Sequence, residues 1–198
     1  MTNTKSQNGN VLFFILIAVA LFAALSYAVS SGMRGGGDTI TDEQAKIGAG
    51  NILRSMSSIR EGYAYLMNQG CSIDDIEFDH PASTNLDCQI FHVQGAGVSY
   101  PNNIAQYQLN PNVANDGKII FTSAIGVSNL GTASLERIAL INDIETNVCN
   151  GINRQLGYDF TAPPALDATP TYGDTVTEFE GRNAGCHGTQ IWFVILEL

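Results

Sequence analysis

Four cysteines, three histidines and one run of acids are the residues of this 198-residue chain whose types and spacing could do chemistry. Cys71, Cys88, Cys149 and Cys186 form an even set with no C-x-x-C pair and no Cys/His pair at zinc-finger spacing, which points to disulfides. Three pairings are open; Cys71–Cys88 with Cys149–Cys186 is favoured because the first closes a short local loop. His80, His92 and His187 stand outside any metal or nucleophile motif. His187 directly follows Cys186, but an oxidised cysteine cannot ligate, so a structural role is the better reading. Asp74, Asp75, Glu77 and Asp79 are the densest acids. Their spacing lacks the bend glycine and distal glutamate of a calcium-binding EF-hand, which favours a solvated acidic loop. No G-x-S-x-G, H-E-x-x-H or phosphate-binding loop is present, and Gly95-Ala96-Gly97 lacks the third glycine of a dinucleotide site, so it reads as a turn or bulge. No catalytic residue, metal ligand or cofactor is assigned, and a non-enzymatic protein is expected.

Charge narrows the partners. The first 34 residues hold Lys5 and Arg34 and no acid, whereas from Gly35 onward seven Lys/Arg stand against 19 Asp/Glu. A region that negative repels phosphate backbones and anionic lipid surfaces, so nucleic acid is excluded as a partner.

The elements that must position these residues begin with an apolar run. Val11–Val29 carries no charge and spans about 28 Å as a helix, close to the hydrocarbon core of a bilayer. A transmembrane helix over residues 11–31 is therefore expected, with the lipid bilayer as partner. A buried core helix would need a larger protein to wrap it. A cleaved signal peptide stays open, with Ala28-Val29-Ser30 or Ser30-Ser31-Gly32 as cleavage sites. Lys5 before the run and the cysteines after it place residues 1–10 as a cytoplasmic leader. A Gly-rich hinge over 32–40 then joins an extracytoplasmic domain over 41–198.

Thr41-Asp42-Glu43-Gln44 fits a capping box, and Ala49, Ile52, Met56, Ile59, Tyr63 and Leu66 recur on one helical face ending near Gly70. Gly48, Gly50 and Gly62 weaken that helix, so it needs packing partners. Short apolar runs at Ile76–Phe78, Gln89–Val93, Gly97–Tyr100, Gln106–Leu109 and Lys118–Ile125 read as strands. A second helix is expected from about Ala133 to Leu156, capped by Thr132 or Ser134 and stopped by Gly157. Residues 158–185 read as a long loop, and Thr189–Leu198 as a central buried strand. The fold class is α+β: an N-terminal transmembrane helix, an amphipathic helix, then a small antiparallel sheet domain with a second helix.

A short polar leader ending in Gly9, an apolar helix, an amphipathic helix and a sheet domain with cysteines: this order resembles type IV pilins and type II secretion pseudopilins. The resemblance implies that a prepilin peptidase cuts the Gly9–Asn10 bond. It further implies that the helix packs with copies of itself or related pilin-like subunits, through small residues at Ala18, Ala20, Ala23 and Ala24. The implied place is the bacterial inner membrane, single-pass, with the N-terminus cytoplasmic and the domain periplasmic or at the cell surface. The leading expectation is a filament subunit or minor component; the alternative is a membrane-tethered binding or adhesion domain acting alone.

Overall fold

The computed structural model describes residues 8–34, 41–78, 84–109, 118–131, 135–165 and 171–196, with side chains of the first segment described over 13–26. The chain divides into two compact units, Met1–Thr39 and Ile40–Leu198. In the first, α1 runs from Asn8 to Arg34, so Gly32-Met33-Arg34 is helical where the hinge was expected. Residues 35–40, the rest of that segment, lie outside the described residues.

Among the described residues no helix is long and apolar enough to cross a membrane. The expected transmembrane helix over 11–31 is therefore withdrawn, and with it the single-pass inner-membrane placement.

The second unit opens with α2, Asp42–Asn68, entered through the expected capping box: the Thr41 hydroxyl accepts the Gln44 N–H, and the Thr41 N–H donates back to Gln44 Oε1. Asp42 and Glu43 in the first turn favour the positive end of the helix dipole. Its predicted face is the buried one, with Ala49, Ile52, Met56, Ile59, Tyr63 and Leu66 all inside. Two of its glycines are packing sites. A Cβ on Gly48 would lie 2.7 Å from the Tyr107 ring, and one on Gly62 would lie 2.5 Å from Val98 Cγ2.

Five strands form one sheet: β1 (Ile120–Val127), β2 (Glu136–Ile141), β3 (Thr171–Tyr172), β4 (Ala184–His187) and β5 (Gln190–Leu196), in the order β3-β1-β2-β5-β4. The sheet is antiparallel except where β3 runs parallel to Gly126 and Val127 of β1. β1 is irregular between Thr122 and Ile125, and just beyond the irregularity the buried carboxylate of Glu136 accepts the Val127 N–H at 2.8 Å. The pleat sorts side chains between two cores. Ala139, Ile141, Ile191, Phe193 and Ile195 face α2 and α3. Ile138, Leu140, Trp192 and Val194 face the other way, onto Tyr158, Tyr172 and Phe179.

The predicted second helix is two elements. Residues 136–141 are β2, and α3 spans only Thr146–Gln155 with Glu145 at its cap. Apolar positions three apart suggested one helix, yet Ile138–Leu140 pairs with both β1 and β5, and Asp143 at φ 62 turns the chain before α3. The runs at 76–78, 89–93, 97–100 and 106–109 are not strands. They hold single bridges, Glu77 to Gln89 and Gln108 to Ile144, and a 3₁₀ turn over Ile104–Tyr107. Residues 158–185, expected as a loop, supply β3, part of β4 and the second core.

Both disulfides form in the favoured pairing. Cys71–Cys88 ties the end of α2 to the 3₁₀ turn Leu86–Cys88, and Cys149–Cys186 ties α3 to β4.

Candidate functional site

The residues first considered for chemistry are spent on structure. Glu77 accepts hydrogen bonds from the Thr84 N–H, the Thr84 hydroxyl and the Asn85 N–H, pinning its loop. Asp74 meets Arg137 at 3.3 Å and Asp75 accepts from the Ser72 hydroxyl, so the acids diverge rather than converge on a cation. Among the described residues no group of three His, Cys, Asp or Glu is placed to hold a metal. Asp79 and His80 lie outside the described residues. His92 is half-buried, and its Nδ1 accepts the Gln94 N–H. His187 is buried on β4 beside the Tyr172 ring, with ring centres 4.8 Å apart. Gly95 and Gly97 form a turn: Gly97 has φ 66, and a Cβ on Gly95 would strike the Gln89 backbone.

Two tyrosines have raised pKa values. Tyr158 is shifted strongly upward by burial, partly offset by the Arg182 guanidinium lying 5.3 Å from its ring centre, and its hydroxyl donates to the Ala184 carbonyl. Tyr63 is raised by burial, with Arg137 opposing and Asp74 reinforcing. Both hydroxyls sit inside packed cores, so neither is presented to a substrate.

The surface that stands out is α1. Phe13, Phe14, Ile15, Leu16, Ile17, Val19, Leu21, Phe22 and Leu25 are all exposed, from 40% at Ile17 to 73% at Phe22. Five consecutive residues at 100° per step point in every direction, so the helix is apolar all round rather than on one stripe. With side chains of this size offering about 100 Å² each, the nine present roughly 900 Å² of apolar surface. Monomeric proteins rarely expose a patch above about 300–600 Å², and a stable interface needs about 800 Å² per partner. Ala20, Ala23 and Ala24, named as packing residues, are exposed on the same helix. The Gly9–Asn10 bond falls in its first turn.

No family model, curated protein or solved structure matches the chain.

Sequence reasoning located α1 by its apolarity. It missed the aromatic core of Tyr158, Phe160, Tyr172 and Phe179, whose only signal is four rings scattered through residues 158–185 with no period.

Proposed function

We propose that the chain is a non-enzymatic structural subunit, pilin-like or pseudopilin-like, that assembles with copies of itself or related subunits through α1. One observation carries this reading: a helix apolar on every side whose described side chains are all exposed. Such a helix is stable only where other apolar groups surround it. Neighbouring copies of α1 supply that cover, and the small side chains at Ala20, Ala23 and Ala24 let helix axes approach closely. The second unit supports the same reading by what its polar residues do: Asp74, Asp75, Glu77 and the Tyr158 hydroxyl bond within the fold, leaving it as a compact, disulfide-braced body.

Sedimentation, electron microscopy and N-terminal sequencing of the protein isolated from cells expressing the whole chain test the proposal. Wild-type protein is expected in large assemblies and lacking residues 1–9. Phe14→Asp with Leu21→Asp is expected to leave monomers, because each buried carboxylate would need a partner it lacks. Wild-type protein that stays monomeric overturns the reading.

A further inference from the structure

The two disulfides sit in opposite surroundings. Cys149 and Cys186 are fully buried between α3 and β4, and the Asn153 side-chain amide bonds both backbone groups of Cys186, at 2.8 and 2.9 Å. No thiolate can reach those sulfurs without unfolding the core. Cys71 and Cys88 are half-buried and line a surface groove of about 330 Å³ with Tyr65, Gln69, Asp87 and Gln94. Disulfide exchange depends on access of an attacking thiolate to one sulfur. The groove gives that access to one bond and not the other.

The loop between Cys71 and Cys88 is also built to survive opening. Ile76 is buried in the core, the Glu77 N–H donates to the Cys88 carbonyl at 3.0 Å, and the Ile90 N–H donates to the Glu77 carbonyl at 3.1 Å. These contacts do not involve sulfur, so they hold Cys88 near Cys71, whose Cα atoms are 5.8 Å apart. Once reduced, the two thiols stay close enough to re-form their bond within the molecule.

We propose that Cys71–Cys88 is a reversible redox switch opened by a dithiol that enters the groove, while Cys149–Cys186 is a permanent brace. The dithiol's thiolate bonds to one of the two sulfurs and the other leaves as a thiolate, which takes a proton from water. The second thiol of the reductant then displaces the mixed disulfide, leaving two cysteine thiols and the oxidised, cyclic reductant. Opening removes the covalent closure of the loop and loosens residues 72–75 and 84–87, which flank the Ile76 anchor and the Glu77 bridge.

The test treats the folded full-length chain with graded dithiothreitol, alkylates it, and maps peptides alongside hydrogen exchange. Cys71 and Cys88 are expected to be alkylated at least tenfold faster than Cys149 and Cys186, with exchange rising in 72–75 and 84–87 and unchanged in β2 and β5. Dilution into an oxidised dithiol is expected to restore the bond without shuffling. Equal rates for the two pairs, or prior loss of Cys149–Cys186, overturn the proposal. The variant Cys71→Ser with Cys88→Ser is expected to show the loosened loop on an intact sheet; collapse of the whole domain would refute a switch and make this bond structural.

Discussion

Two helices of 27 residues each, α1 and α2, follow one another in the chain and solve the problem of helix stability in opposite ways. α2 is polar enough to exist in water. It carries a capping box, two acids in its first turn, and one apolar face that α3 and β5 cover. α1 has no acid in its first turn and no polar face over 13–26. The contrast teaches where each helix draws its free energy. α2 is stabilised within its own chain, whereas α1 depends on what surrounds the molecule.

Matched truncations put that contrast to its strongest test. Ile59→Ala on α2 removes a fully buried side chain and is expected to destabilise the second unit by about 3 kcal/mol. Phe22→Ala on α1 removes a larger side chain and is expected to shift the same unfolding transition by less than about 0.5 kcal/mol. Urea titrations followed by Trp192 fluorescence read both; similar losses would break the comparison.

The glycines of α2 sharpen it further. Alanine normally gains up to about 1 kcal/mol over glycine inside a helix. At Gly50 the nearest atoms to an added Cβ are on Gln155, at 3.6 and 3.9 Å, so Gly50→Ala is expected to stabilise by about 0.5–1 kcal/mol. At Gly62 the new methyl meets Val98 and Ala96, and Gly62→Ala is expected to cost about 1–2 kcal/mol. Thermal melts of the pair should move in opposite directions.

The most local test concerns the cap. Thr41→Ala loses the bond to the Gln44 N–H and is expected to cost about 1 kcal/mol, with Thr41→Ser restoring most of it. Amide exchange at Gln44 and Ala45 should rise in the first variant and not in the second.

What could be read from residues follows from how local each signal is. The capping box, the apolar face of α2 and the β5 strand lie within single windows of sequence, and each appears where expected. The disulfide pairing was legible through loop length alone. β2 was lost inside a predicted helix because Ile138 and Ile141 are three apart, a spacing that suits a helix as well as a strand buried on both faces. The second core was illegible for another reason: Tyr158, Tyr172 and Phe179 meet Trp192 only through tertiary contacts. The apolarity of 11–29 located α1 but was read as a bilayer span, and among the described residues no helix is long and apolar enough to cross a membrane.

The placement of β5 has a consequence for synthesis. A ribosome delivers β2 and β4 before β5, yet β5 lies between them and pairs with both. Until residues 190–196 emerge, the apolar rows of Ile138, Ala139 and Ile141 have no strand on that side, and two edges stay open to any other unfinished chain. The sheet can close only after translation has passed its last strand, so crowded polysomes are where this protein is most exposed to mispairing.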